Sequence, residues 1–371
     1  MTISTRSIPN LRHIVIITGY YGFDNLGDEA ILEELLHELS PICGKENIIV
    51  LSNQPEKTST LYGVQSTSRW NWSIYIELLR QAKILISGGG GLFQDGTGPR
   101  SVLFYAAQIF LAKLFGAKVF IYAQGIGPIK NHLCRALSQL AFKQANKITL
   151  RDQNSVDIAR TWSTEPELTA DPVWALASSP LPNSILSNLD KITQPIIGLS
   201  LREAAGLKDY HLQILAQAIA DTFSQSIILL LPLQNKQDLS PLKKIDNYLK
   251  ELKVKTNFLD TSQIIKPSQW LALMEKMDLL IGMRFHALLM ALKVSKPVIG
   301  IAYDPKIIYL LKEFNQPLLY LNSKNQTDTI WLKTIKDAKA HTFSGDACTR
   351  LNKIKIMAEK NAVLLAEELQ R

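Results

Sequence analysis

Short apolar runs rich in Ile, Val and Leu recur along the chain, and helical spacing of apolar positions fills the intervals between them. In the first half the runs His13–Thr18, Asn47–Leu51, Lys83–Ser87, Lys118–Ala123 and Lys147–Arg151 predict strands. Alternation of this kind argues for βα units and parallel sheets. The rhythm stops at ASSPLPNSILSNLDKITQP, residues 177–195, whose Ser, Pro and Asn mark a linker. It resumes in Ile196–Arg202, Ser226–Leu233, Thr256–Asp260, Asp278–Met283, Pro297–Tyr303 and Pro317–Leu321. The pattern predicts two similar α/β domains facing each other across a cleft. Their expected extents are 1–180 and 196–346, joined by a linker at 181–195, with a terminal helix over 347–371 that packs back across them. The most apolar stretch, Val102 to Gly127, contains Gln108, Lys113, Gly116 and Lys118 and is expected to be helix, turn and strand rather than a membrane span.

Composition narrows the function without naming it. With 371 residues, 46% of them hydrophobic, the chain can bury a core in each of two domains. Its 41 Lys and Arg against 33 Asp and Glu give a net charge of +8, which suits anionic ligands or an anionic membrane surface. No dense basic run points to nucleic acid. Cys43, Cys134 and Cys348 are odd in number and far apart, so neither a disulfide framework nor a CxxC metal site is expected, and a reducing cytoplasm fits. The first residues carry Arg6 and Arg12 but no apolar core of a secretory signal.

Open α/β sheets bind ligands beyond the carboxyl ends of their strands, and here those positions are rich in glycine and charge. After the first strand comes GYYGFDNLGDEAIL, Gly19 to Leu32, which lacks both the GK[ST] ending of a phosphate loop and the GxGxxG of a dinucleotide fold. Asp28 and Glu29 suit the positive end of the following helix. Asp24 lies in the loop itself, beside Gly22 and Asn25, and is free to point into the cleft and exchange a proton with a hydroxyl. ISGGGGLFQDGTGPRS, with Gly89 and Gly90, and YAQGIGPI, with Gln124 and Gly125, repeat the strand-to-glycine pattern. Ligand contact and plain turn chemistry explain both equally well.

Positive charge stands at other strand ends: Arg69, Arg151, Arg202 and Arg284. Together they would form an anion site, because guanidinium forks match carboxylate and phosphate oxygens, although Asp152 and Glu203 offer Arg151 and Arg202 structural partners. Arg284 and His286 are two apart, so an extended segment would project both from one face, with a helix beginning after the histidine. A helix start attracts anions and would hold His286 beside one, with Lys306 following the next strand. A histidine there can also be a simple cap. No cluster of metal ligands is visible, so the expected chemistry is independent of metal.

The ordered set GYYGFDNLGDEAIL, ISGGGGLFQD, YAQGIGP, LRDQNS, ADPVW, GLSLRE and GMRFHALLMAL with PVIGIAYDPK resembles the polysaccharide pyruvyl transferase family, in particular its CsaB-type branch. The resemblance covers most of the chain. It implies a GT-B-like pair of Rossmann-like domains and transfer of the pyruvyl group of phosphoenolpyruvate onto two sugar hydroxyls, forming a cyclic ketal and releasing phosphate. Phosphoenolpyruvate is then a co-substrate and no cofactor is required. The implied donor carries phosphate and carboxylate, which call for Arg69, Arg151, Arg202, Arg284 and Lys306. The acceptor, lipid-linked in the implied class, offers neutral hydroxyls to the acidic first loop and its glycine neighbours, and would bring the enzyme to the inner face of a membrane. His286 and Asp24 are the expected acid and base, in either order, and His286 can instead steady the departing phosphate. Two rivals share the architecture: a nucleotide-sugar glycosyltransferase, and an anion-binding assembly component without turnover.

Overall fold

The computed structural model describes residues 14–96, 98–321, 328–338, 343 and 345–371. They fall into two compact units, one formed by the described residues up to Leu176 with Ile354–Arg371, the other by Ala177–Lys353. His13, Arg6, Arg12 and His341 lie outside the described residues.

The first unit holds β1 (Ile14–Thr18), β2 (Ile48–Ser52), β3 (Gln65–Ser68), β4 (Ala82–Ser87), β5 (Gly90–Phe93), β6 (Lys118–Ile126), β7 (Lys147–Leu150) and β8 (Glu167–Leu168). They pair in the order β3-β2-β1-β4-β6-β7-β8, with β5 also on β6, and all pairs are parallel. Every residue of β1 and β2 is buried, as a parallel sheet covered on both faces requires. Three of these strands escape the apolar pattern. β3 is the polar QSTS at a sheet edge, where the Ser66 hydroxyl donates to the Val50 carbonyl at 2.8 Å. β5 lies inside the glycine run, and β8 has two residues.

The second unit holds β9 (Ile196–Ser200), β10 (Ile227–Leu230), β11 (Lys255–Phe258), β12 (Leu279–Gly282), β13 (Val298–Ala302) and β14 (Leu318–Tyr320). Their order is β11-β10-β9-β12-β13-β14, all parallel, which is the Rossmann arrangement. Leu199 of the central β9 pairs with Leu230 on one side and Ile281 on the other. The Ser- and Pro-rich stretch at 177–195 belongs to this unit and carries a helix, Asn183–Leu189, that buries Ile185 and Leu189. Apolar residues Ile185 and Leu189 sit one helical turn apart within the polar composition, which is why the segment orders.

The final helix, Gly345–Gln370, docks its last turns on the first unit. Lys83 and Lys118 donate to the carbonyls of Leu369 and Glu368, so two ammonium groups meet the negative end of the helix. Lys147 and Lys360 both donate to Glu167 and hold its carboxyl down at about 2. Asn361 is fully buried and donates to the Ala170 carbonyl at 3.0 Å. Replacing it with Ala strands that carbonyl in the interior, so Asn361→Ala is expected to lose roughly 1–3 kcal/mol. A thermal melt that matches wild type contradicts this role.

Candidate functional site

In each sheet the chain leaves the central strand in opposite directions, and the carboxyl ends there frame a crevice. In the first unit this point lies between β1 and β4. The loop after β1 is closed by its own polar groups. The Gly22 amide donates to Glu29 Oε1 at 2.7 Å, Asn25 caps the helix Leu26–Cys43, and Asn25 Nδ2 donates to Asp28 at 2.5 Å. Burial pushes the Glu29 carboxyl up to about 7, against the pull of these backbone donors. Gly22 adopts φ +75, and a Cβ there would stand 2.5 Å from the Gln54 amide. The loop after β4 is equally tight: a Cβ on Gly88 would lie 1.9 Å from the Tyr21 hydroxyl. Gly89 and Gly90 follow, and the buried Gln124 donates to the Gly90 carbonyl at 2.7 Å.

Arg69 is buried at this end of the sheet. Its Nη1 donates to the Gly19 carbonyl at 2.8 Å and its Nη2 to the Tyr105 hydroxyl at 3.1 Å. The rings of Phe23, Trp70, Phe104 and Tyr105 surround the guanidinium, with centroids between 4.4 and 5.3 Å. Tyr20 stacks on Phe23 at 4.1 Å. Asp24, expected to point inward, is exposed at φ 55 and receives Lys57 Nζ at 2.6 Å and Gln54 Nε2 at 3.2 Å. The hydrogen bond from Lys57 holds its carboxyl below the usual carboxylate range. Arg151 pairs with the buried Asp171 at 2.6 Å and packs over Gly125, whose added Cβ would stand 2.8 Å from its Nε. Its sequence neighbour Asp152 instead caps the helix Gln153–Arg160. Arg69 and Arg151 end strands that are five spacings apart in the sheet, on the order of 20 Å, and do not form one anion site.

In the second unit the crevice lies between β9 and β12. Asp238, wholly buried, accepts the amides of Leu233 and Gln234 at 3.0 and 2.9 Å and forms an ion pair with Arg284. Burial raises the Asp238 carboxyl although Arg284 opposes it. Gln237 Oε1 accepts from Arg202 Nη2 at 2.5 Å and from Arg284 Nη2 at 3.4 Å, so one amide oxygen joins the two arginines. Arg202 Nη1 donates to the Tyr303 hydroxyl at 2.9 Å, and its Nε reaches the backbone carbonyl of Glu203, not the carboxylate. All these partners of Arg202 are neutral. Lys306 Nζ lies 3.4 Å from Asp304 and 5.8 Å from the Phe285 ring centre.

The helix here starts at Phe285, one residue before His286 rather than after it. Arg284 is its N-cap residue and His286 its second helical residue, so the two do not share the face of an extended strand. The helical signal was strong, but the turn begins at Arg284 because that side chain is anchored on Asp238. Gln234, Gln237, Asp238 and Tyr303 were not singled out from the sequence. The first three follow β10, hidden by extending the apolar run to Leu233, and the rule that placed the arginines at strand ends points to them as well. Among the described residues, no group of three or more His, Cys, Asp and Glu is gathered as a metal cluster.

The family model of polysaccharide pyruvyl transferase matches residues 25–305, about three quarters of the chain. The chain belongs to the polysaccharide pyruvyl transferase family. It is therefore a transferase of the polysaccharide-synthesis class. No curated protein matches the sequence to a significant degree. Solved structures with a similar fold include HepE from Anabaena in complex with UDP-glucose, at 12% identity over 95% of this chain and 99% of that one, with a TM-score of 0.58. The UDP-GlcNAc 2-epimerase from Methanocaldococcus jannaschii matches at 12% identity over 96% and 99%, with a TM-score of 0.68. A glycosyltransferase from Rickettsia africae matches at 12% over 97% and 99%, with a TM-score of 0.61. At this identity the likeness carries the fold, a GT-B-like pair of Rossmann-like domains, as the family resemblance implied. No helix among the described residues of this pyruvyl transferase family member is long and apolar enough to cross a membrane.

The loop closure by Glu29 has a measurable consequence. A carboxyl whose folded value is about 7 against an ordinary 4.5 binds its proton more tightly in the folded state. Its contribution to stability is complete below about 4.5 and is lost as the pH rises through about 7. The variant Glu29→Gln keeps an acceptor for Gly22 and removes this loss. Its melting temperature is expected to match wild type near pH 5 and to exceed it near pH 8. Parallel melting curves across that range would contradict the assignment.

Proposed function

We propose that this member of the family transfers the pyruvyl group of phosphoenolpyruvate onto two hydroxyls of a sugar in a cell-surface polysaccharide or its lipid-linked precursor, in the manner of the CsaB-type branch. The observation that carries the proposal is Arg202. It is a half-buried guanidinium at the crevice of the second sheet, oriented by Tyr303 and Gln237, and its hydrogen bonds go to neutral partners. An incoming phosphate or carboxylate can exchange for those neutral acceptors at a gain, because charged pairs bind more strongly. Arg284, by contrast, is committed to Asp238 and shapes the site. Lys306 and the first turn of the helix Phe285–Lys293 add positive potential. Arg69 and Arg151 serve the first unit's loops through Gly19 and Gly125.

In the proposed reaction, C3 of phosphoenolpyruvate gains a proton and C2 becomes electrophilic. One sugar hydroxyl forms a bond to C2 and gives up its proton. The second hydroxyl then attacks C2 as the C2–O bond to phosphate breaks, so phosphate leaves and the ketal closes. His286 is assigned the proton transfer at C3, since an imidazole can give and take protons near neutral pH. Asp24 is kept ionised by Lys57 and is assigned to the acceptor hydroxyls. The donor serves as co-substrate, and the protein works as a peripheral enzyme at the inner face of the membrane.

Titration calorimetry separates the proposal from its rivals, with phosphoenolpyruvate and UDP-glucose as separate arms. Wild type is expected to bind phosphoenolpyruvate, and Arg202→Ala to weaken that binding roughly 10- to 100-fold. Binding of UDP-glucose, the ligand named for the HepE complex, without binding of phosphoenolpyruvate replaces pyruvyl transfer with nucleotide-sugar transfer. Phosphate release from phosphoenolpyruvate that requires a sugar acceptor, screened over free and lipid-linked amino sugars, excludes a binding component without turnover.

His286→Ala is expected to lower kcat on the order of 10² to 10⁴ while donor affinity changes far less. Melting temperature and turnover are to be measured on the same preparation. A variant that melts early yet turns over normally makes His286 a helix-start residue and removes it from the chemistry.

A further inference from the structure

The helix Arg100–Leu114 turns an apolar stripe outward. Leu103, Ala107, Phe110 and Leu114 follow the spacing of one helical face, on which Leu103 and Leu114 are exposed while Phe104, Phe110 and Leu111 are half-buried against the core, and Val102, Tyr105, Ala106, Ile109 and Ala112 are buried on the other side. A surface helix of a water-facing protein carries polar residues at exposed positions where this one carries leucine. Leu103 is 45% exposed and Leu114 76%. The helix His132–Lys143 packs beside it and adds Leu133, 62% exposed, and Leu140, 51% exposed. At one rim, the exposed Trp70 stands 5.2 Å from Phe104, and the half-buried Trp72 5.5 Å from the same ring.

The charge on this pair of helices is basic. From Gly96 to Lys147 the sequence holds 52 consecutive residues with no Asp or Glu and seven Lys or Arg, where the overall 33 acidic residues in 371 would place about five. Lys118 and Lys147 are taken up by the final helix and Glu167. Arg100, Lys130, Arg135 and Lys143 are exposed. The bordering acidic groups are Asp95, which accepts the Asn131 amide, and Glu77 on the helix Trp72–Leu79.

We propose that the pair of helices Arg100–Leu114 and His132–Lys143 is a docking face for an anionic lipid bilayer, with the leucines entering the acyl boundary and the basic residues meeting the headgroups. Exposed leucines, basic residues beside them and tryptophan at the rim are the combination that an interface between water and lipid rewards. A second copy of the chain meeting the first about a two-fold axis would set the same basic residues against each other, so the charge favours lipid over self-association. The helix begins just beyond the glycine loop at the crevice of the first unit, so docking would bring that crevice close to the bilayer surface. This face stands independently of pyruvyl transfer, because its test involves no donor.

The test is co-sedimentation of the full chain with vesicles of phosphatidylcholine alone and of phosphatidylcholine with about one third phosphatidylglycerol. Wild type is expected to pellet with the anionic vesicles and to stay in solution with the neutral ones. Combining Leu103→Gln, Leu114→Gln, Leu133→Gln and Leu140→Gln abolishes sedimentation while the circular dichroism spectrum stays that of wild type. Combining Lys130→Gln, Arg135→Gln and Lys143→Gln lowers partitioning on the order of 10²-fold, from about fivefold per charge. Wild type that stays in solution with both vesicles overturns the proposal, as does a basic variant that sediments like wild type, and the latter holds even if the leucine variant fails to fold. Wild type that ignores vesicles and sediments as a dimer, which the leucine variant breaks, makes the face an interface between copies instead.

Discussion

The contact between Asp238 and Arg284 organises the second crevice. A buried carboxylate is tolerated only with its lone pairs filled, and here two backbone amides and one guanidinium fill them. The amides belong to Leu233 and Gln234, so the pair ties the loop after β10 to the start of the helix that follows β12. That tie carries Gln237 to a position between Arg284 and Arg202, and Arg202 in turn rests on Tyr303 beyond β13. Side chains from four separate strand ends are therefore set before any ligand arrives, which is the arrangement that spares a site the cost of ordering them later.

The two units share a doubly wound parallel sheet and treat the same position differently. In the first, the backbone donors that a phosphate would use are taken by the loop's own acid, with the Gly22 amide on Glu29. The nearby cation, Arg69, is spent on the Gly19 carbonyl and four aromatic rings. In the second, the acid is deep and paired, and Arg202 donates to the neutral Tyr303 and Gln237. An acidic loop where a phosphate loop would stand is thus a self-closed loop, and the two units differ in where each carboxylate is held.

Much of this could be read from the chain before folding. Two sets of strands and their parallel pairing follow from apolar runs, since a strand covered on both faces must be apolar at every position. The rule that ligands gather at strand ends singles out Arg202, Arg284 and His286 as candidates. The strands β3, β5 and β8 were invisible: Gln65–Ser68 has no apolar residue, Gly90–Phe93 is half glycine, and Glu167–Leu168 is too short to show a period.

Which charges pair was decided only in three dimensions. Sequence proximity suggested Asp152 for Arg151 and Glu203 for Arg202, yet Arg151 takes Asp171 and Arg202 takes Tyr303 and Gln237. Adjacent residues at a strand end point apart, whereas crossover connections bring residues twenty to a hundred positions away to the same carboxyl edge. Asp24 went to Lys57 for the same reason. The pattern of apolar positions is a local property and determines the strands by itself. The partner of each ionised group depends on which strand ends the sheet order places side by side, and that order is settled only when the sheet assembles.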